Sequence, residues 1–276
     1  MSLCRREDRL SALLKEIGPA AVAFSGGTDS AYLAYAAKRA LGDRCMAVTV
    51  APPYVPKEEV EEAERVAAEI GIDHFVTELP WPERIRNNPS DRCYLCKETL
   101  LRTIIDLARE RGFPAVIEGS NTDDLDDYRP GMRAVEELGV RSPLLEAGMS
   151  KADIRIASKQ AGLSTWDKPA FTCLLTRLPQ NAPADPVILE RIGKAERFVV
   201  DLGFPSARVR YEDGMAVLEV APDRIPDLAA EAIRGRINDE LGDLGFRRVC
   251  VDLGGYRRGS MNTPVRRESG GEKESP

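Results

Sequence analysis

The run Ala20-Ala21-Val22-Ala23-Phe24-Ser25-Gly26-Gly27-Thr28-Asp29-Ser30 decides how the chain is read. Its first five residues form a short, wholly apolar segment of the kind expected in a strand buried on both faces. Ser30 opens an apolar-periodic stretch through Leu33, Ala36 and Ala37, expected as a helix over Ser30–Leu41. Strand, tight turn and helix start together make an anion site. The adjacent Gly26 and Gly27 let backbone N–H groups turn toward an anion with no Cβ in the way, and the helix N-terminus adds free donors and a favourable dipole. Ser25 and Ser30 supply hydroxyl donors. A carboxylate at Asp29 inside a phosphate loop makes sense only beside a cation, which points to Mg2+ held between Asp29 and the phosphates. A Gly-Gly pair alone is more often an ordinary capped turn; all six residues from Ser25 to Ser30, placed between strand and helix, reverse that balance. The loop lacks the Lys-Ser/Thr of a Walker-type loop, so a kinase or GTPase finds no support.

Working outward, short β-rich runs alternate with amphipathic segments, the rhythm of a mostly parallel open sheet covered by helices, an α/β fold. Strands are expected at Ala20–Phe24, Met46–Ala51, His74–Thr77 and Ala115–Glu118, with helices at Pro56–Ile70 and Tyr94–Arg111 stopped by Gly71 and Gly112. Ser150-Lys151-Ala152-Asp153 reads as a capping box opening a helix that ends before Gly162. Three prolines between Pro179 and Pro186 mark a domain boundary. Residues 1–178 then form the nucleotide domain and 179–262 a smaller α+β domain. Its expected elements are a helix at Pro186–Leu202, strands at Ala207–Tyr211, Ala216–Val220 and Arg248–Asp252, and a helix at Asp227–Leu241. The polar tail 263–276 is expected to be disordered.

The composition sets limits on function. Of the 276 residues, 43% are hydrophobic and 30% charged, as in soluble domains, and no apolar run is long enough to span a bilayer. The start of the chain leads into a charged amphipathic segment and not the apolar core of a secretory signal, so a cytoplasmic location and no membrane partner are expected. A formal net charge of -6 argues against broad nucleic-acid binding. A single histidine, His74, leaves almost no material for a His-based metal site or a Ser-His-Asp triad. Six cysteines in a reducing compartment suggest metal or sulfur chemistry in place of disulfides.

Three of those cysteines stand in distinctive settings. Cys93 and Cys96, in Arg92-Cys93-Tyr94-Leu95-Cys96-Lys97, follow the helix-start signal Asn88-Pro89-Ser90-Asp91 and would share a face in a first turn, where the dipole favours thiolates. A single CxxC is compatible with half of a zinc site, a redox dithiol or an iron–sulfur site. Cys173 lies between Phe171 and Leu174, a setting for a buried hydrophobe, but with Lys168 and Arg177 near in sequence as cations able to stabilise a thiolate or an anionic substrate. Cys4, Cys45 and Cys250 read as structural. Three cysteines around a cubane would leave one iron open to exogenous sulfide, whereas a lone thiolate could give up its own sulfur.

The loop Ser25–Ser30 resembles the SGGxDS signature of the PP-loop ATP pyrophosphatases, which cleave ATP to AMP and pyrophosphate and leave a substrate adenylated. Further segments narrow this. Asn88–Lys97, Asp127-Tyr128-Arg129-Pro130-Gly131, Ser142-Pro143-Leu144, Trp166–Arg177 and Asp252–Asn262 resemble the LarE family of ATP-dependent sulfur transferases, over nearly the whole chain before the tail. The resemblance implies a carboxylated pyridinium mononucleotide as substrate, each carboxylate adenylated and then converted to a thiocarboxylate for the nickel-pincer nucleotide cofactor. It implies ATP bound by Ser25, Gly26, Gly27, Thr28, Asp29, Ser30, Lys97 and Gly119, with Mg2+ on Asp29 and either Asp123 or Asp124. Catalytic roles fall on Cys173, Asp29 and Arg177. Substrate contacts fall on Thr176, Arg177, Arg208, Arg210, Glu196 and Glu219; Thr176 stands where the family more often has Ser. Having all three cysteines, the chain matches members in which Cys93, Cys96 and Cys173 hold a [4Fe-4S] cluster carrying a sulfide, with inorganic sulfide or another donor as source, and not those that convert the Cys173 position to dehydroalanine. The family also tends to form homo-oligomers. A tRNA thiolase of the same superfamily is disfavoured by the net charge and by Ser120-Asn121-Thr122-Asp123-Asp124, where those enzymes are His-rich. A metal protein that only senses redox state or binds a partner is the non-enzymatic alternative.

Overall fold

The computed structural model describes residues 2–125, 130–169 and 173–257. They fall into two units: one runs to residue 175 and includes 180–190, and the other comprises 176–179 and the chain from 191 onward. The first unit holds four parallel strands, β1 (Ala20–Ala23), β2 (Cys45–Ala51), β3 (Asp73–Glu78) and β4 (Ala115–Ile117), in the order β3-β2-β1-β4. Its helices are α1 (Leu3–Ile17), α2 (Thr28–Leu41), α3 (Lys57–Ile70), α4 (Arg92–Glu110), α5 (Pro130–Glu137), α6 (Pro143–Glu146) and α7 (Lys151–Gln160).

The apolar run of β1 is buried on both faces because alternate side chains enter different cores. Ala20 and Val22 pack into a cluster with Leu10, Leu14, Leu33 and Ile154, from α1, α2 and α7. Ala21 packs with Met46, Val48, Leu101 and Ile104 into a second cluster that takes in α4 and α5. Such two-sided burial favours parallel strands with helices on both faces. The expected α/β class is therefore observed. The capping box is also present: Ser150 Oγ accepts the Asp153 N–H at 3.2 Å, and Asp153 Oδ2 accepts the Ser150 N–H at 2.9 Å. The short α5 and α6 were not anticipated.

In the second unit, β5 (Arg208–Glu212) and β6 (Met215–Glu219) pair antiparallel, and β7 (Arg248–Val251) pairs parallel to β6. Asp213 and Gly214 close the hairpin with φ of 45° and 81°, the double left-handed geometry of a tight two-residue turn. α8 (Pro186–Asp201) contains the division between the units, and α9 (Ile225–Ala229) and α10 (Glu231–Asp243) follow. The single helix expected over Asp227–Leu241 is thus two. Ala230 is extended, with ψ of 142°. Leu228 and Ile237 are both buried, yet at about 100° per residue positions nine apart face opposite sides of one helix, so the break lets both face inward. The Asp127–Arg129 part of the Arg-Pro-Gly segment, Phe171 and Thr172, the end of the Asp252–Asn262 segment and the tail 263–276 lie outside the described residues.

Candidate active site

β1 has β2 on one side and β4 on the other, so the loops leaving the C-terminal ends of β1 and β4 diverge at the switch point of the sheet, where open α/β folds bind ligands. A cleft of about 570 Å3 opens there, lined by Ser25, Gly27–Ser30, Thr49, Lys97 and Gly119, among others.

Gly27 caps α2, and Thr28, Asp29 and Ser30 form its first turn, whose amides have no intrahelical acceptor. The loop is braced by its own hydroxyls. Ser30 Oγ lies 3.1 Å from Ser25 Oγ, receives the Ser25 N–H at 3.3 Å and reaches Gly27 O at 3.1 Å. Gly26 has φ of 68°, and a Cβ there would come within 2.9 Å of Ala63 Cα in α3, so both backbone sign and space demand glycine. At Gly119 a Cβ would meet the Ser30 nitrogen at 3.2 Å. The loop after β4 therefore sits directly on the start of α2. The Thr28 hydroxyl donates to Thr165 O at 2.7 Å, so what this cleft-lining residue offers an anion is its backbone amide.

Asp29 lines the cleft and accepts from Asn121 Nδ2 at 3.3 Å. Asn121 is itself fixed by a capping box with Asp124. Of the two acids considered beside Asp29, Asp124 is buried and lines the cleft, whereas Asp123 is exposed. Lys97 lines the same cleft and donates to Glu118 Oε2 at 2.9 Å. Glu118 was not singled out from sequence, since one acid at a strand end is unremarkable there. It is 3% exposed and also accepts from the Ser120 N–H at 3.0 Å, Ser120 Oγ at 2.9 Å and Ser142 Oγ at 2.5 Å. Burial pushes its carboxyl up, but the Lys97 charge and the three serine and lysine hydrogen bonds outweigh that and hold it below the usual carboxylate range.

The cysteines gather at the start of α4. Buried Asn88, with φ of 47°, donates to Leu175 O at 3.2 Å and its carbonyl accepts from the Asn181 N–H at 3.0 Å. These bonds bring the segment of Cys173 to the turn that precedes Cys93 and Cys96. Sequence had marked Asn88 only as part of a helix start. Burial pushes the Cys173 thiol up to about 12; Cys96 and Cys93 nearby raise it, while a backbone hydrogen bond at Leu175 and the charge of Arg92 lower it. Cys96 is likewise raised by burial, against a hydrogen bond to Tyr54 Oη at 3.0 Å and the Lys97 charge. Tyr54 is buried edge-on to Trp81, with ring centroids 5.5 Å apart. Among the described residues no three His, Cys, Asp or Glu side chains are close enough to enclose a metal ion. Cys93, Cys96 and Cys173 are electrostatic neighbours, not a compact ligand set.

The two cations close to Cys173 in sequence are each paired with carboxylates, and Lys168 also lines the cleft. Lys168 contacts Glu59 at 3.2 Å and Glu62 at 3.0 Å, and buried Arg177 is clasped by Glu196 through Nε at 2.7 Å and Nη2 at 2.6 Å. Among the charges that act on Cys173, that of Arg92 lowers its pKa. The other substrate candidates cluster in the second unit. Arg210 is gripped by both oxygens of Glu219 and donates to Thr176 O at 2.9 Å. Arg208 lies 3.6 Å from Glu196 and over the ring of Tyr256 at 5.2 Å. Glu196 and Glu219 therefore neutralise arginines here.

Comparison with known proteins agrees with this architecture. Residues 19–91 match the family described as queuosine biosynthesis protein QueC. The chain is 38% identical to an uncharacterized protein of Synechocystis sp. over 92% of its own length and 96% of that protein. It is 35% identical, over 95% of both chains, to the pyridinium-3,5-bisthiocarboxylic acid mononucleotide synthase of Lactiplantibacillus plantarum. The chain belongs to the LarE family. An uncharacterized protein of Methanocaldococcus jannaschii is also similar, at 29% identity over 86% of this chain and 90% of that one. LarE proteins are PP-loop sulfur transferases, so the chain is an enzyme, and membership implies ATP and Mg2+ at the loop Ser25–Ser30. No helix among the described residues is long and apolar enough to cross a membrane.

Proposed function

We propose that the enzyme uses ATP to adenylate the carboxylates of pyridinium-3,5-biscarboxylic acid mononucleotide and converts them to thiocarboxylates, a step toward the nickel-pincer nucleotide cofactor. What supports this reading is the cleft itself: the loop Ser25–Ser30 and Lys97, the residue after Cys96 in the chain, line it together. A carboxylate oxygen of the substrate attacks the α-phosphorus of ATP and pyrophosphate leaves. A sulfur nucleophile then attacks the acyl carbon and AMP leaves with the former carboxylate oxygen.

In this reading the first-turn amides of α2, with Ser25 and Ser30, bind the departing pyrophosphate. Asp29 and Asp124 hold Mg2+ against it. Lys97, steered by Glu118, adds positive charge as the leaving group develops. Arg208, at 3.6 Å from Glu196, is less tightly held than Arg210, which is gripped by both oxygens of Glu219, and is read as the grip for a substrate phosphate.

What supports a [4Fe-4S] cluster is the chemistry of the donors, although the three thiols do not form a compact ligand set: three cysteine ligands leave one iron open, and a cationic metal would offset the burial that disfavours free thiolates. Cys93, Cys96 and Cys173 would hold it, and when bound it supplies a sulfide nucleophile. The test is anaerobic purification with iron and labile-sulfide analysis, followed by turnover with ATP and sulfide. Equal iron and labile sulfide with repeated turnover is expected. Absence of iron, with Cys173 losing its sulfur once per chain, overturns the cluster in favour of a sacrificial cysteine. Absence of AMP formation with the pyridinium substrate overturns the function.

A further inference from the structure

We propose that Thr49 and His74 are positioning residues for ATP, orienting the peptide that leads into the phosphate loop. The inference rests on the cleft being the ATP site. His74 is the only histidine in the chain, and nothing in the proposed chemistry uses it. Its Nε2 lies 2.7 Å from Thr49 Oγ1. Thr49 is 5% exposed, lines the cleft, and donates its hydroxyl to Phe24 O at 2.8 Å. A carbonyl can only accept, so the single hydroxyl hydrogen is spent there and Nε2–H of His74 donates to Thr49.

Phe24 is the last residue before the loop. The Phe24–Ser25 peptide is held on both edges, its oxygen by Thr49 and its N–H by Ser30 Oγ at 3.3 Å. The Phe24 N–H reaches Val48 O at 2.9 Å, and the Phe24 ring meets the imidazole edge-on with centroids 5.4 Å apart. A relay therefore runs from β3 through β2 to the end of β1. Packing alone does not call for it: valine would fill the Thr49 position in a buried strand with no polar group to satisfy. What the hydroxyl adds is a fixed orientation of the peptide plane from which the Ser25–Thr28 amides are aimed, and anion sites lose binding when donors drift by fractions of an ångström.

The test is steady-state pyrophosphate release as a function of ATP concentration, at saturating pyridinium substrate and sulfide, with thermal melting of every variant. Thr49→Val is expected to raise KM for ATP about tenfold, the cost of roughly one hydrogen bond, with KM for the pyridinium substrate unchanged. Thr49→Ser restores ATP affinity to within about twofold. His74→Gln, which keeps a donor near the Nε2 position, stays close to wild type, while His74→Phe raises KM for ATP by roughly threefold. If Thr49→Val does not fold, the His74 pair decides by itself. An unchanged KM for ATP in Thr49→Val or His74→Phe, whatever the melting temperature, overturns the positioning role. A wild-type enzyme that releases no pyrophosphate from ATP overturns instead the reading of the cleft.

Discussion

Replacing Glu118 by Gln tests whether the buried carboxylate, and not merely its volume, organises the cleft wall. The charge at Glu118 is met by Lys97, two hydroxyls and one backbone N–H. In the glutamine variant the amide oxygen can retain the Ser120 N–H and Ser142 contacts, and Ser120 Oγ can turn to accept from the new NH2. The Lys97 contact cannot be kept, because two donors would face each other. Lys97 is 36% exposed, so its ammonium can turn to water, and the full cost of an orphaned buried charge does not apply. What is lost is one charge-assisted bond and the charge component of the others, about 2 kcal/mol. For a unit of this size that lowers Tm by roughly 4–8 °C at pH 7. Because the folded carboxyl is held below its unfolded value, its stabilisation is complete above the unfolded pKa of about 4.3 and is lost as pH falls through the folded value. The gap in Tm between the two proteins, followed by circular dichroism from pH 7 to pH 3, should be constant down to about pH 4.3 and narrow below it. A variant melting within about 1 °C of wild type at pH 7 would refute the reasoning.

Gly26→Ala should lower ATP turnover by at least about tenfold and destabilise by roughly 1–3 kcal/mol, since its Cβ would overlap the Ala63 backbone at a left-handed position; full ATP-dependent AMP formation would contradict that. Arg177→Met leaves half-buried Glu196 without its bidentate partner and should cost about 3 kcal/mol in urea unfolding, with Arg177→Met/Glu196→Gln recovering part of it; additive losses would show that the pair is not coupled. Iodoacetamide at pH 8, read by peptide mass spectrometry in the metal-free protein, should label exposed Cys4 well before Cys45, pushed up to about 11, or Cys173, at about 12. Equal labelling of Cys173 and Cys4 would mean that burial does not suppress that thiolate. Asp29→Asn should reduce pyrophosphate release about a hundredfold, in part recoverable by raising Mg2+; wild-type rates at ordinary Mg2+ would remove Asp29 from the metal site.

Local rules were enough for the parts of this protein that are contiguous in the chain. The apolar Ala20–Phe24, the glycine pair and the helix that follows form one strand–loop–helix unit whose geometry is set within a few residues, and the Ser150 capping box closes over three. The CxxC pair likewise belongs to a single helical turn. Partners distant in sequence were a different matter. That Lys168 pairs with carboxylates of α3 and Arg177 with one of α8 was decided by separations of a few ångströms in folded space. That Asp124 and not Asp123 lines the cleft turned on which side of one short turn faced it, and the contacts of Glu118, Asn88, Thr49 and His74 arise only when strands and loops from separate stretches meet. Backbone propensity acts over a few neighbours, whereas hydrogen bonds and ion pairs are settled by tertiary proximity. The sequence by itself therefore determined the phosphate loop and the doubly covered sheet, and the tertiary structure decided which charged and polar groups are left to work at it.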